Sequence, residues 1–308
     1  MNAARPTRST AYQPSLRQKP PQTRHSIRGS GDDHDEMTLP NARVIPPEDC
    51  HPDAIKLLRL AGIFEQSHLV AHIPRYLHVI RHMPHHEYLR GGEYDSALEI
   101  GTTFFFPLVL KDMFKFAHVD FTDLKRAGDP IAEVKLPRDW TTRTWRCFNT
   151  NLEDEQLPVA DSTYDLILCF EVIEHLEKDP MAMLCEINRV LKQSGLVFLT
   201  TPNSTSARNV LQIHRGYAPH FYMQYSRTRS LGKHNIEYDP RQITSLLHGA
   251  GFKIRKLWTE DLFADPVPEA LEILRDTGGY LQNRGDDLLV IGEKVTEPRE
   301  RFPSAVYS

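Results

Sequence analysis

A short run of the sequence, CFEVIEHLEKDP at residues 169–180, places two carboxylates and an imidazole within five positions. It overlaps the end of YDLILCF, an apolar run typical of a strand buried on both faces. If a helical turn starts where this strand ends, Glu171, Glu174 and His175 are spaced i, i+3 and i+4 and share one face. Two carboxylates and a neutral imidazole suit a hard or borderline divalent ion such as Mg²⁺, and His234 in GKHNIEY is the candidate fourth ligand.

Two other interpretations of these residues stay open. In the first, His175 is a general base that takes the proton of an attacking hydroxyl, supported by the neighbouring Glu174 and Glu171. In the second, Glu174 caps or pairs locally and His175 hydrogen-bonds to the backbone, so that the cluster is structural.

The elements around this cluster alternate between strand and helix patterns. Three helical patterns begin at FFFPLVLKDMF, at DPMAMLCEINRVLKQSG with a stop at Gly195, and at DPRQITSLLHGAGF. Strand patterns occupy residues 96–100, 115–121, 144–149, 164–170, 196–203, 253–260 and 287–294. This alternation predicts an α/β fold, a doubly wound and mostly parallel sheet with helices on both faces and a closing antiparallel strand.

Composition divides the rest of the chain. Residues 1–45 are rich in Pro, Ser and Arg and poor in large aliphatics, which predicts a disordered leader. Apolar residues at intervals of three and four predict a helical segment over 46–92. The main domain is expected over 93–296, with an insert at 204–235, and a C-terminal tail over 297–308.

Charge and cysteine usage exclude several classes of protein. A formal charge of −4 and a pI near 6.4 exert no general attraction toward nucleic acid or anionic membrane. Four cysteines without CxxC spacing indicate reduced thiols. No apolar run approaches the roughly 20 residues of a membrane span, and no signal-peptide core is present. We therefore expect a cytoplasmic protein with no membrane span.

A longer run, LPVADSTYDLILCFEVIEHLEKDPMAMLCEINRVLKQSGLVFLTTPN, resembles the central segment of class I S-adenosylmethionine-dependent methyltransferases. The matching branch carries LP, FD, EVxEHL, RVLKPGG and TPN in this order. HNIEYDPRQITSLLHGAGF is similar to that branch's HxREYTPxEL and LLxxAGF motifs, so the likeness extends over about residues 95–294. So long an ordered series is more specific than a likeness of fold. It implies a Rossmann-like fold, S-adenosylmethionine as cofactor and methyltransferase activity.

The resemblance also implies which residues meet the cofactor. Such folds bind nucleotides at the carboxyl ends of parallel strands, where Gly101 in LEIG permits a tight turn beside Glu99. An acidic residue about 20 positions on should accept bonds from the ribose hydroxyls; Asp120 stands there, with Asp123 as its competitor. The remaining cofactor-binding candidates are Leu152, Glu153 and Asp154 near the adenine, and Phe170 and Glu171 at the end of their strand.

The sequence departs from the family at the glycine-rich turn, where GTTFFFP replaces GxGxG. One interpretation is therefore a non-catalytic, methyltransferase-like scaffold. The leading interpretation is O-methylation of a small-molecule, sugar or glycolipid hydroxyl, because the insert offers aromatic rings and arginines to an acceptor. A further alternative is metal-assisted RNA 2'-O-methylation, since ExxEH with a downstream His resembles both the ubiquinone-pathway and the small-RNA O-methyltransferases.

Overall fold

The computed structural model of the protein describes residues 52–83, 95–124, 129–135, 143–219 and 233–308. The predicted leader at 1–45 lies outside them. Within the described residues, eight strands form one sheet in the order β3-β4-β2-β1-β5-β6-β8-β7. The strands are β1 (Ser96–Ile100), β2 (His118–Thr122), β3 (Ile131–Val134), β4 (Trp145–Phe148), β5 (Tyr164–Phe170), β6 (Leu191–Pro202), β7 (Phe252–Glu260) and β8 (Asp287–Lys294).

The pairing directions confirm the predicted doubly wound fold. Strands β4, β2, β1, β5 and β6 run parallel, whereas β8 is antiparallel to both β6 and β7, and β3 is antiparallel to β4. The strand order reverses between β1 and β5. The chain that follows β1 and the chain that follows β5 therefore turn to opposite faces of the sheet, and a crevice opens between them at the carboxyl ends of the two strands. Any ligand site of this fold is therefore expected beside Gly101 and Glu171.

Helices cover both faces of the sheet. They are α1 (Pro52–Leu60), α2 (Ser67–Val70), α3 (Ile73–Arg81), α4 (Phe105–Leu108), α5 (Pro180–Val190), α6 (Ala207–His214), α7 (Pro240–Gly249) and α8 (Pro268–Asp276), with 3₁₀ turns at Ile63–Glu65 and Ile173–His175 and a π turn at Val109–Met113. Alternate residues of β5 enter opposite layers. Leu166 and Leu168 pack with α1, α3 and α4, whereas Ile167 and Cys169 pack with α5 and α7.

Helix α5 is shorter than its sequence pattern predicts. Asp179 caps it by accepting a hydrogen bond from the backbone N–H of Met181 at 3.0 Å, as the Asp-Pro start indicates. The helix ends at Val190, however, and not near Gly195, because Leu191 is extended and already pairs with Tyr164 of β5. The Nζ of Lys294 donates to a carbonyl of the last helical turn and to that of Leu191, which fixes this end.

Three elements had no sequence prediction. Strand β3 adds to the sheet edge, and α6 and α8 pack on each other in a small separate cluster around Ala207, Leu211 and Ala270. The part of the insert that the structure describes thus begins with a capped helix, since Ser206 accepts a hydrogen bond from the N–H of Asn209. Short, strongly tertiary elements of this kind carry too little periodicity to be recognised from one sequence.

Candidate active site

The turn after β1 lies at the edge where the crevice opens. Gly101 has a φ of 73°, in the left-handed region that favours glycine. Its N–H donates to Thr122 Oγ1 at 2.9 Å, and the N–H of Thr102 donates to the Thr122 carbonyl at 3.1 Å. A Cβ on Gly101 would lie 2.7 Å from a methyl carbon of Val172. The backbone therefore passes here at a closeness that only glycine allows.

The three phenylalanines of GTTFFFP do not fill this crevice. Phe105 and Phe106 are buried in the core, where their rings contact Tyr76 of α3 at centroid distances of 5.5 and 5.4 Å. Phe104, at a φ of 64°, turns its ring edge-on to Phe121. The bulky residues that replace the glycines thus belong to the layer of α1 and α3.

Glu99 is a buried carboxyl beside the turn, with 1% of its surface exposed. It accepts a short hydrogen bond from the hydroxyl of Thr102. Burial raises its pKa to about 8, and the hydrogen bonds from Thr102 and Thr103 and the charge of Arg75 offset only part of this rise. At neutral pH Glu99 is therefore mostly protonated in the structure.

The two candidate ribose acids are placed differently. Asp120 lies inside β2, opposite Leu98, and its carboxylate contacts the Arg146 guanidinium and the Tyr164 hydroxyl, the latter at 2.7 Å. It lines a cavity at the amino ends of the strands. Asp123 directly follows the end of β2, beside the turn, and its N–H donates to the Phe148 carbonyl at 3.0 Å.

The loop after β4 carries the adenine candidates. Leu152 is buried in the layer of α5 and α7, whereas Glu153 is half-buried and Asp154 is exposed. Glu153 Oε1 accepts hydrogen bonds from the N–H groups of Lys178 and Asp179, at 2.5 and 3.1 Å. Asp154 pairs with the Lys178 ammonium at 2.5 Å. The loop is thereby joined to the segment that precedes α5.

Glu171 begins the EVIEHL turn in a strained conformation. Its φ is 54°, a left-handed value that is uncommon for a residue with a side chain and that concentrates at functional sites. Its Oε1 accepts a hydrogen bond from the Thr200 hydroxyl at 2.7 Å and lies 3.7 Å from the buried guanidinium of Arg75. The carboxylate is thus directed to β6 and α3, apart from the histidines.

Three of the four residues proposed as metal ligands do converge. Glu174, His175 and His234 each offer one ligand atom, and these atoms lie within 4.8 Å of one another. Glu174 is completely buried, and its Oε2 accepts from the Thr201 hydroxyl at 3.0 Å. Its Oε1 has no hydrogen-bond partner among the described residues and lies 3.8 Å from His175 Nε2. Burial and the charge of Glu171 raise the pKa of Glu174 well above its usual range.

Both imidazoles are oriented through their Nδ1 atoms. His175 Nδ1 lies 2.9 Å from the carbonyl of Lys233, and His234 Nδ1 lies 3.1 Å from Glu237 Oε1. An Nδ1–H that donates to such an oxygen leaves Nε2 as the basic nitrogen. The N–H of Asn235 also donates to the Glu174 carbonyl at 2.7 Å, which ties the His234 segment to the turn.

Two residues of this region were not predicted. Arg75 reaches from α3, 3% exposed, and donates to Thr200 Oγ1 at 3.3 Å. Asp287, the first residue of β8, is fully buried, and neither of its oxygens has a hydrogen-bond partner in the described part of the chain. Burial, and after it the charge of Glu171, raises the pKa of Asp287. The only sequence signal was an arginine on a helix that is otherwise apolar on that side.

The sheet order and the crevice at the carboxyl ends of β1 and β5 are those of a Rossmann-like fold. A family model described as a methyltransferase domain matches residues 98–257, more than half of the chain. The chain belongs to this family, and the resemblance to S-adenosylmethionine-dependent methyltransferases is confirmed.

Individual relatives match a shorter stretch. A ubiquinone biosynthesis O-methyltransferase of Parvibaculum lavamentivorans is 47% identical over 83 residues, which cover 27% of this chain and 29% of the relative. A protein of Mycobacterium tuberculosis named as a probable S-adenosylmethionine-dependent methyltransferase is 33% identical over 98 residues, 32% of this chain and 30% of the relative. The matched segment thus spans less than a third of these relatives' own length.

Solved structures match over more of the chain at lower identity. A SAM-dependent methyltransferase from Archaeoglobus fulgidus covers 78% of this chain and 99% of its own, at 16% identity and a TM-score of 0.46. Among the described residues, no helix has the length and apolarity to cross a bilayer.

Proposed function

We propose that the protein transfers the methyl group of S-adenosylmethionine to a hydroxyl of a small molecule, sugar or glycolipid. The observation that carries this proposal is the convergence of Glu174, His175 and His234 at the carboxyl edge of the sheet, on the turn that follows β5. This is the edge at which the family places its nucleotide cofactor. Membership of the family supports S-adenosylmethionine as the cofactor. The cluster supports a hydroxyl acceptor, because its side chains can take up the proton that the hydroxyl must lose.

The residues around the turn fit the cofactor. Gly101 leaves the close backbone approach that a bound nucleotide needs, and Phe105 and Phe106 are packed away from the crevice. We assign the ribose contact to Asp123 because it directly follows β2 at the carboxyl edge of the sheet, whereas Asp120 lies inside β2, where it contacts Arg146 and Tyr164. Glu99 and the loop of Leu152, Glu153 and Asp154 complete the proposed contacts, with Phe170 and Glu171 at the end of β5. When bound, the cofactor supplies a methyl group already activated on a sulfonium.

The chain's own task is then to position the acceptor and hold its proton. His175, with Nδ1 directed to the Lys233 carbonyl, would present Nε2 to an acceptor hydroxyl. Glu174 Oε1, which has no hydrogen-bond partner among the described residues, lies 3.8 Å from that nitrogen, and the ionised form of Glu174 would stabilise the imidazolium that results. Positioning and proton removal are the contributions that methyl transfer from a sulfonium requires of a protein.

The same three residues fit a divalent ion, which would bind and orient acceptor oxygens and lower their pKa. One carboxylate oxygen and two imidazole nitrogens favour a borderline ion such as Mn²⁺ or Zn²⁺. Mg²⁺ prefers oxygen ligands and is the weaker fit, because Glu171 is directed to Thr200 and Arg75. The metal proposal therefore rests on Glu174, His175 and His234.

The acceptor is proposed to approach from the insert side. Tyr217, after α6, exposes 66% of its surface. The other aromatic and arginine candidates of the insert lie at 220–229, outside the described residues. A relative named as a ubiquinone biosynthesis O-methyltransferase supports oxygen as the methylated atom.

RNA 2'-O-methylation is the second candidate, favoured by the presence of His234 in the cluster. An RNA acceptor predicts retention that weakens steeply with salt, because phosphate contacts release counterions. A small hydroxyl acceptor predicts no such dependence.

The test is calorimetric titration with S-adenosylhomocysteine, with and without Mn²⁺, on the wild type, Asp123→Ala and His234→Ala. His248→Ala is the matched control, since His248 is exposed on α7.

We expect micromolar binding of S-adenosylhomocysteine that Asp123→Ala weakens at least tenfold. We also expect Mn²⁺ binding that His234→Ala removes and that the other variants retain. Folded wild-type protein without cofactor binding would replace the enzyme proposal with the scaffold. Cofactor binding without Mn²⁺ binding would leave His175 as the general base. Acceptor panels of hydroxylated aromatics, sugars and RNA then separate the two substrate classes.

A further inference from the structure

The segment after β8 is fastened to the ends of two helices. The N–H groups of Val295 and Thr296 donate to the Gly251 carbonyl at 3.1 and 3.2 Å, and those of Arg299 and Glu300 donate to the Gly249 carbonyl at 2.8 and 3.1 Å. This segment is called the C-terminal strap, residues 295–308. It runs from the end of α7 toward the start of α5.

Glycines make room for the strap. A Cβ on Gly249 would lie 2.7 Å from the Glu300 carbonyl oxygen, and one on Gly251 would lie 2.2 Å from that of Thr296. Gly251 also has a φ of 89°. These are the two glycines at the end of LLHGAGF. Their presence is explained by the strap, which passes too close for any side chain.

Two strap side chains converge on one carboxylate. Arg301 pairs with both oxygens of Asp179, one of them at 3.0 Å, and the Tyr307 hydroxyl donates a short hydrogen bond to Asp179 Oδ1. The same hydroxyl accepts from the N–H of Met181 at 3.2 Å. Asp179 is the N-cap of α5, so the strap is hydrogen-bonded to the start of that helix. The hydrogen bonds from Arg301 and Tyr307 hold the pKa of Asp179 below its usual range, although burial, the largest single influence, raises it.

Asp179 in turn holds the loop that is proposed to border the adenine. Its N–H donates to Glu153 Oε1 at 3.1 Å, beside the N–H of Lys178 at 2.5 Å. A continuous series of bonds thus runs from Tyr307 and Arg301 through Asp179 to Glu153. We propose that the C-terminal strap is a positioning element for cofactor binding, in which Tyr307 and Arg301 hold the Glu153 loop in its ligand-ready conformation through Asp179.

The physical reason is preorganisation. A loop that is ordered before binding loses less conformational freedom when the ligand arrives. Without the strap contacts, the Glu153 loop and the start of α5 become ordered only when the ligand binds, and the loss of conformational freedom lowers the affinity. The effect should appear in the affinity for the adenosine-bearing ligand and in the hydrogen exchange of residues 151–157, while the sheet stays folded.

The test measures S-adenosylhomocysteine affinity for Tyr307→Phe, Arg301→Gln and their combination. Tyr307→Phe keeps the ring, which packs 5.3 Å from that of Phe302, so the strap stays in place. Arg299→Gln is the matched control, because this arginine is exposed and, among the described residues, is held through its backbone N–H, which donates to the Gly249 carbonyl. We expect each single variant to weaken binding about fivefold, the effect of one net hydrogen bond, the combination to weaken it further, and the control to leave it unchanged.

A double-mutant cycle separates positioning from a general loss of stability. In a Glu153→Ala background the strap variants should have no further effect on affinity, because the group through which they act is gone. An unchanged affinity in Tyr307→Phe and Arg301→Gln, or an equal loss with and without Glu153, overturns the inference. The inference rests on the proposed function, and the two fail differently. Absent binding by the wild type contradicts the function, whereas wild-type binding that ignores the strap contradicts only the positioning role.

Discussion

Replacing Glu99 with glutamine is expected to stabilise the protein at neutral pH. The carboxyl is 1% exposed at the end of β1 and accepts a hydrogen bond from the Thr102 hydroxyl. Glutamine keeps the size of the side chain and a carbonyl oxygen for that bond. What it removes is an ionisable group that must take up a proton to be buried.

The size of this stabilisation follows from the difference between the pKa of Glu99 in the folded protein and its pKa in the unfolded chain. An unfolded chain ionises this carboxyl above pH 4.5, whereas the folded protein retains the proton up to about pH 8. Because the folded pKa is raised, the contribution of Glu99 to stability is complete below pH 4.5 and is lost as the pH rises toward 8. At about 1.4 kcal/mol for each pH unit, the loss at pH 7 is about 3 kcal/mol. Glu99→Gln should recover about 2–3 kcal/mol there and nothing near pH 4.5.

The assay is urea unfolding of the wild type and the variant at pH 5, 6, 7 and 8, without ligand. Glu272→Gln on the exposed face of α8 is the control, and its free energy of unfolding should follow that of the wild type at every pH. A variant whose free energy of unfolding is equal to or below that of the wild type at pH 7, with the same dependence on pH, would refute the reasoning. It would mean that Glu99 is ionised and compensated in the folded state.

Three further results are expected. Gly101→Ala should cost at least about 2 kcal/mol of stability and weaken cofactor binding, because an alanine at a φ of 73° is strained and its Cβ meets Val172; thermal melts with and without S-adenosylhomocysteine measure both. Asp123→Asn should weaken S-adenosylhomocysteine binding more than Asp120→Asn does, whereas Asp120→Asn should lower the melting temperature more, because Asp120 bonds to Arg146 and Tyr164. A larger loss of binding in Asp120→Asn would return the ribose role to Asp120. Lys294→Met should cost about 2–3 kcal/mol in urea unfolding, since the buried ammonium donates to two backbone carbonyls at the end of α5; an unchanged midpoint would contradict this.

Local pattern was enough to predict the fold. The buried strand at 164–170, the Asp-Pro cap at Asp179 and the alternation of strand and helix are properties of neighbouring residues, and the structure confirms the doubly wound sheet that they indicate. The EVIEHL motif also directed attention to the end of β5, where Glu174 and His175 lie close to His234. The predicted end of α5 near Gly195 was wrong, because the pairing of Leu191 with Tyr164 outweighs helix propensity.

The tertiary structure alone decided the partners of the buried charges. Spacing placed Glu171 with the histidines, but the backbone at a φ of 54° directs its carboxylate to Thr200 and to Arg75, which arrives from a helix 96 positions earlier in the chain. The burial of Asp287 near the charge of Glu171 and the hydrogen bond from Tyr307 to Asp179 also depend on residues distant in sequence. Electrostatic and hydrogen-bond partners are set by distances of a few ångström across the folded chain, and a linear pattern does not contain those distances.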